Sequence, residues 1–360
     1  MSTERSGSVL QLLGPSTGGI RRHVAYLTSR LRDNGWSVET AGPDGVLDDL
    51  DRVVPIPTRN QPGGTWRARR ALQAVAGDHD LIHAHGLKAG LLAASLRNGP
   101  PVVLSVHNLV LDEVAGRSAT VLRWLEGRLP ARVAATIAIS DGVADRFAGL
   151  GGADRIRVIP PAGPPPDPRR SPGDVRVELG IQPDDDLVVT PARLTAQKDI
   201  PLLLDAAEIL VRDRPGLRWF VFGDGQLRSE LERSVASRGL AEVVHLEPGR
   251  RDVDSELAAA DVVVITSRWE SGPLVLLEAA ALGRPMVSTD VGLARTVIDG
   301  TAGEVVPVGD APALAAAVHE VLEAGDRSDV VGAPPRSELS PATLAARVEA
   351  LYREVSGRAG

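Results

Sequence analysis

Short apolar runs alternate along this chain with longer stretches in which apolar positions recur every three or four residues. In the first half the runs fall at 9–13, 37–41, 53–56, 81–84, 102–106, 136–139 and 156–159, and they predict strands. Helical spacing covers 20–33, 66–76, 87–96, 119–129 and 142–150. Regular strand–helix alternation predicts a parallel, doubly wound sheet with helices on both faces.

Residues 160–168 read Pro-Pro-Ala-Gly-Pro-Pro-Pro-Asp-Pro and suit neither regular element. A stiff segment of this kind reads as a linker. Alternation then resumes, with strands at 187–191, 219–222, 243–246, 262–265, 286–289 and 304–307. Helices fit 201–211, 226–238, 254–259, 273–282 and 313–323. A polar loop over 326–340 precedes a last amphipathic helix over 341–355. At 360 residues the chain exceeds one ordinary core. The reading is therefore two α/β domains facing across a cleft, 1–165 and 166–335, with a closing segment over 336–360.

Composition narrows the class. With 43% hydrophobic and 24% charged residues the chain reads as globular. It holds no apolar run near the ~20 residues a membrane span needs, and residues 1–8 lack the apolar core of a secretion signal. Cysteine is absent, which excludes disulfides and thiolate metal sites and fits a cytoplasmic location. Only Lys88 and Lys198 among 40 basic residues are lysine. A compact ammonium is not interchangeable with guanidinium against a phosphate, so both lysines draw notice. Residues 1–165 carry 19 basic and 15 acidic side chains (+4), leaving 21 and 32 (−11) for the remainder of the −7 total. The asymmetry reads as ordinary domain-to-domain variation or, more sharply, as a basic N-terminal face that meets an anionic acceptor or lipid surface. Within it, residues 117–132 place Arg117, Arg123, Arg128 and Arg132 among Val121, Leu122, Trp124, Leu125 and Leu129. This reads as a helix able to lie at a lipid surface, with packing on its own domain as the alternative. Basic residues are otherwise dispersed, and nucleic acid is not an expected partner.

In open parallel sheets ligands bind beyond the carboxyl ends of the strands. The polar residues converge there. Gly18 and Gly19 open a helix after the first strand, where backbone can approach a ligand closely. The loop does not match G-x-G-x-x-G, which disfavours NAD. His85 follows one strand, and His107 with Asn108 another. His83 and His85 share a strand face, but a metal would want a third ligand and none is evident nearby. Asp184, Asp185 and Asp186 lie on the opposite edge and read as a solvated turn. In the second half the strand ends deliver Arg193 with Lys198, then Gly223-Asp224-Gly225, then Glu270, then Asp290 and Gly292. The Gly223-Asp224-Gly225 turn could take a flat base or ribose. Glu270-Ser271-Gly272-Pro273 leads into a helix carrying Leu274, Val275 and Glu278. Ser271 serves as N-cap and Pro273 as the first-turn residue. Free amides at that helix start suit a phosphate, and two flanking carboxylates suit sugar hydroxyls. A nucleotide-sugar needs that combination.

Together these residues resemble the retaining glycosyltransferases of family 4, with the GT-B architecture of two facing Rossmann-like domains. The similarity spans essentially the whole chain. It is most specific at Glu270-x7-Glu278 and in the following run to Pro285, then at Ser288–Gly292, Gly18–Val24, Arg193 with Lys198, and Gly223–Gly225. The resemblance implies that Glu278 holds the nucleotide ribose and Glu270 the donor-sugar hydroxyls. Amides near Leu274 and Val275, with Arg193 and Lys198, would face the diphosphate. Gly19 would lie against donor phosphate or sugar, and His107 would bond a sugar hydroxyl. The last helix would return to brace the N-terminal domain. Two departures stand out. Pro161-Ala162-Gly163-Pro164 replaces an Asn-Gly-Val-Asp run, and Asp199 replaces a glycine after Lys198, where it could cap the next helix.

The implied reaction moves a hexose from a UDP- or GDP-linked donor to an acceptor hydroxyl, with no metal and no cofactor. No side chain stands out as a nucleophile. Lipid-linked glycans, natural products, polyols and polysaccharides are all candidate acceptors, and the protein would sit in the cytoplasm, where it can touch the inner membrane face. A sugar-nucleotide epimerase of the same fold and a non-catalytic sugar-nucleotide-binding subunit are the competing readings.

Overall fold

A computed structural model describes residues 6–16, 18–57, 63–107, 119–250, 253–324 and 337–357. The chain forms two compact units, Met1–Pro164 with Pro341–Gly360, and Pro165–Ser340. Asn108, Arg117 and most of the 326–340 loop lie outside the described residues.

The first unit holds seven strands: β1 Gly7–Leu13, β2 Trp36–Gly42, β3 Arg52–Val53, β4 Leu81–His85, β5 Val102–Val106, β6 Ala135–Ala138 and β7 Ile156–Val158. They run in parallel in the order β3-β2-β1-β4-β5-β6-β7. Side chains alternate between two cores. Leu10, Leu12, Ile82 and Leu104 face one with Leu72 and Phe147. Val9, Leu81 and Val103 face the other with Leu27, Leu31 and Trp36. Burial on both faces explains why these strands read as near-continuous apolar runs.

The second unit repeats the plan with β8 Asp186–Pro191, β9 Leu217–Phe222, β10 Val244–Glu247, β11 Val262–Ile265, β12 Met286–Thr289 and β13 Gly303–Val306. The order is β10-β9-β8-β11-β12-β13, again parallel. Trp219, fully buried, donates from its indole Nε1 to Thr190 Oγ1 at 3.0 Å. Thr190 in turn donates to the Val264 carbonyl at 2.9 Å, so the polar atoms of this core are paired across three strands.

Three expectations need correction. The Asp184–Asp186 turn is not simply solvated: Asp185 and Asp186 are buried. Asp186 pairs with Arg214 at 2.7 Å, and Asp185 accepts the Gln182 amide at 3.0 Å, because a charge drawn in at the sheet edge must find a partner. The helix expected over 142–150 is regular only over Asp141–Asp145. Two short helices, Pro172–Glu178 and Ala294–Ile298, appear where apolar spacing was too brief to mark them. The first is capped by Ser171, which accepts the Asp174 amide at 3.1 Å.

The helix Pro341–Val355 belongs to the first unit and supplies Val348, Leu351 and Tyr352 to its core. Buried Glu349 accepts from Trp36 Nε1 at 3.0 Å and Asn34 Nδ2 at 2.7 Å, and also pairs with Arg353. Glu349→Ala leaves the indole N–H without its acceptor. Urea denaturation is expected to show a loss of about 1–3 kcal/mol, and an unchanged midpoint would exclude this contact as an anchor of the helix.

Candidate active site

Strand order reverses in each sheet at one place, between β1 and β4 in the first unit and between β8 and β11 in the second. At such a switch point neighbouring connections depart to opposite faces and leave room for a ligand.

In the second unit the loops after β8 and β11 meet at this point. Lys198 donates to Glu270 Oε1, and Ser267 Oγ donates to the same oxygen at 3.1 Å. Both side chains are largely buried, Lys198 at 16% and Glu270 at 12% exposure. The pairing depends on a set of backbone anchors. The Arg268 amide donates to the Gln197 carbonyl at 2.8 Å, and Gln197 Nε2 to the Trp269 carbonyl at 3.1 Å. Thr266 Oγ1 donates to the Lys198 carbonyl at 2.7 Å. From β12, Thr289 Oγ1 donates to the Ser267 carbonyl at 2.7 Å. Gly292 has φ +54°, and a Cβ there would lie 2.9 Å from the Ser271 carbonyl oxygen and 3.0 Å from that of Glu270. Glycine thus lets the loop after β12 press directly on the carboxylate-bearing loop.

The Gly223-Asp224-Gly225 turn works in the same way. A Cβ on Gly223 would sit 1.8 Å from the Ala192 oxygen, and one on Gly225 2.2 Å from that of Leu194. Both glycines therefore seat the loop after β9 against the segment bearing Arg193. Asp224 ties its loop to the loop after β10 and to the helix that follows. It accepts the Gly249 amide at 2.7 Å and pairs with Arg228 at 2.9 Å, and these hold its carboxyl below the usual range, the amide foremost. Arg193 is exposed and donates to Gln197 Oε1 at 3.4 Å.

Two capping expectations fail here. Asp199 stands at the cap of the helix Ile200–Leu210 but makes no side-chain capping bond. Its backbone has φ +45°, a left-handed conformation that explains why a glycine suits this position. Its buried carboxylate pairs with Arg268 at 2.9 Å instead. Ser271 does not cap the helix Leu274–Ala281 either, and Pro273 takes the cap position. Ser271 and Leu274 are buried, Val275 half-buried, Gly272 lies in the approach, and Glu278 is buried on the second turn. No acidic residue occupies the first turn, so the amides there meet no competing carboxylate on their own helix.

In the first unit Gly18 takes φ +61° and ψ −128° at the cap of the helix Gly19–Asp33, whose first turn likewise carries no acid. Four of the chain's seven histidines gather around the carboxyl ends of β4 and β5: His83 and His85 on β4, His107 just after β5, and His23 on the helix Gly19–Asp33. His85 Nδ1 lies 3.0 Å from His107 Nε2, and His85 Nε2 lies 2.6 Å from Gln11 Oε1. Gln11 Nε2 donates to the Tyr352 hydroxyl at 2.9 Å. That hydroxyl lies 2.5 Å from His83 Nδ1, whose Nε2 faces Ser105 Oγ at 2.7 Å. With the Gln11 oxygen accepting from His85, His85 Nδ1 is an acceptor and His107 Nε2 its donor. Burial first, and then the neighbouring rings, holds His83, His85 and His107 well below the ordinary histidine range. His23, lowered to about 4 chiefly by burial, completes the cluster.

The structure thus joins Lys198 with Glu270, and His107 with His85, within their own units. Sequence reasoning missed Gln197, Ser267 and Arg268, whose partners Trp269, Glu270 and Asp199 are set by the meeting of the two loops and leave no motif in the sequence. It also missed His23, Gln11 and Tyr352. Gln11 carried a signal, a polar residue inside an apolar strand.

Comparison with known proteins agrees with this architecture. Residues 185–324 match the family described as glycosyl transferases group 1, and residues 17–162 the Glycosyltransferase Family 4 domain. The D-inositol 3-phosphate glycosyltransferase of Acidothermus cellulolyticus is 30% identical over 367 residues, covering 87% of this chain and 80% of that protein. The sucrose-phosphate synthase of Thermosynechococcus elongatus has a similar structure, with TM-score 0.83, 22% identity and coverage of 98% and 100% of the two chains. HepE of Anabaena, in complex with UDP-glucose, follows with TM-score 0.73, 21% identity and 98% of each chain covered. The fold is GT-B, two parallel α/β sheets each with its own switch point. The chain belongs to the group 1/family 4 glycosyltransferases and is an enzyme of that class, rather than the epimerase or binding subunit weighed above.

Proposed function

We propose that this glycosyltransferase moves a hexose from a nucleoside-diphosphate sugar to an acceptor hydroxyl, with retention at the anomeric carbon and without a metal ion. The observation that carries the proposal is the Lys198–Glu270 pair at the switch point of the second unit. An arriving diphosphate takes Lys198 as its counter-ion and frees Glu270 to accept hydroxyls of the sugar. The bond from the anomeric carbon to the leaving phosphate breaks on the face where the acceptor oxygen adds, and the acceptor proton passes to the departing phosphate. Charge developing on the diphosphate is met by Lys198, Arg193 and the amides around Leu274 and Val275. Such preorganised donors replace a metal. Glu278 accepts the ribose hydroxyls beside the Gly223-Asp224-Gly225 turn. In the first unit Gly18 and Gly19 admit the donor phosphate or sugar, and His107 bonds a sugar hydroxyl.

UDP-glucose in the similarly folded HepE favours a UDP-linked hexose ahead of a GDP-linked one. The inositol phosphate in the relative's name favours a polyol phosphate as the first acceptor to try, before lipid-linked glycans, natural products and polysaccharides.

A second surface favours peripheral contact with the inner face of a membrane. Among the described residues no helix is long and apolar enough to cross one. Yet on the helix Ala119–Arg128 both Val121 and Trp124 are exposed, and Arg128 stacks 3.9 Å above the Trp124 ring. Exposed Trp66 carries Arg70 in the same way at 5.7 Å. Aromatic rings beside guanidinium groups suit an anionic headgroup layer.

Lys198→Ala is expected to lower kcat on the order of 10²–10³-fold, with transfer unaffected by EDTA. An unchanged kcat with raised KM would reassign Lys198 to uniform binding, and activity lost in EDTA and restored by magnesium would refute the metal-free step. UDP at 100 times its Kd is expected to stabilise the protein by about 2.7 kcal/mol in a thermal-shift assay, and Glu278→Ala to abolish the shift. No shift with UDP, GDP, TDP or ADP would remove the nucleotide site. For the membrane, the protein should co-sediment with anionic vesicles at low salt and less so after Trp124→Ala. Absence from the pellet at low salt would exclude the contact.

A further inference from the structure

We propose that His23, His85 and His107 form a binding site for a zinc-class divalent cation within the first unit. One nitrogen from each ring lies within 4.8 Å of the others, and all three side chains are buried. Ring centroids are separated by 5.8 Å for His23–His85, 5.2 Å for His23–His107 and 5.3 Å for His85–His107. Zinc bonded to imidazole nitrogen at about 2.0–2.1 Å in tetrahedral array holds ring centroids about 5.2 Å apart. The rings therefore already stand near the spacing a metal requires, and small rotations bring the nitrogens inward.

The outer partners favour the same assignment. Metal-bound histidines usually donate their other ring N–H to a carbonyl, which fixes the tautomer. His85 Nε2 faces Gln11 Oε1 at 2.6 Å, leaving the Nδ1 lone pair directed at His107. His23 Nδ1 accepts the Ala162 amide at 3.0 Å in one tautomer and faces the Ala162 carbonyl at 2.8 Å for donation in the other. Donation to the carbonyl is the tautomer that leaves Nε2 for a metal. His107 Nε2 joins by shifting its proton to Nδ1, so binding releases no net proton.

His83 is excluded, since its nitrogens face Tyr352 and Ser105. Three nitrogens with a fourth position open suit zinc, cobalt or copper rather than magnesium, which prefers oxygen ligands. His107 is also the histidine proposed to bond a hydroxyl of the donor hexose, which UDP lacks, so the UDP test and the metal test read separately.

The experiment uses full-length, tag-free protein stripped with chelator. Cobalt(II) is expected to bind at one equivalent with the visible bands of a tetrahedral nitrogen site, bleached by zinc and untouched by excess magnesium. Zinc at 100 times its Kd is expected to raise Tm by about 5–10 °C. His23→Gln, where it melts cooperatively in metal-free buffer, should lose both responses. Should that variant not fold, X-ray absorption of zinc-loaded wild-type protein should count three imidazole ligands. No cobalt band in wild type, an unchanged band in folded His23→Gln, or fewer than three imidazoles would overturn the site.

Discussion

Parallel strands all end on the same edge of their sheet, and everything chemical in this protein follows from that polarity. A parallel sheet needs a crossover after every strand, so each carboxyl end must open into a loop. Where strand order reverses, between β8 and β11, two such loops are neighbours without a helix between them. Lys198 and Glu270 lie 72 residues apart in sequence and meet there because the topology makes their two loops neighbours.

That meeting is held by backbone more than by charge. An ion pair this buried stabilises little by itself, since desolvation offsets most of its attraction. Its geometry comes instead from carbonyl and amide contacts reaching from Gln197, Thr266 and Thr289, and from glycines that bring chain against chain at Ala192, Leu194 and Ser271. Preorganisation of this kind is what transition-state stabilisation needs, because donors already in place spend nothing on reorganising as charge develops. Asp199, held left-handed and tied to Arg268, is the one non-glycine strain point in this loop set.

In the first unit the organising element is a buried polar chain running from Ser105 through His83, Tyr352, Gln11 and His85 to His107. It couples the last helix of the chain to the end of β5. Buried polar networks are costly when incomplete, so each member constrains the next. His107 therefore takes its orientation from residues on three strands and a terminal helix.

Read alone, the sequence determined the elements and their class. Apolar runs bounded by turns are a local signal, and the strands it marked at 102–106, 262–265 and 286–289 stand at those same positions in the structure. Positions of Arg193, Lys198, Glu270, Glu278 and His107 at strand ends or on the following helix were equally legible, because strand ends are local too. What sequence could not supply was partnership. Asp199 and Ser271 looked like caps on local grounds, yet one found Arg268 and the other was displaced by Pro273. Asp185 and Asp186 looked solvated and became buried and paired. His23 lay one turn into a helix with nothing nearby to announce His85 or His107. Each of these depends on contacts between residues tens of positions apart, and only the folded chain, by closing the sheet and returning its last helix to β1, decides them.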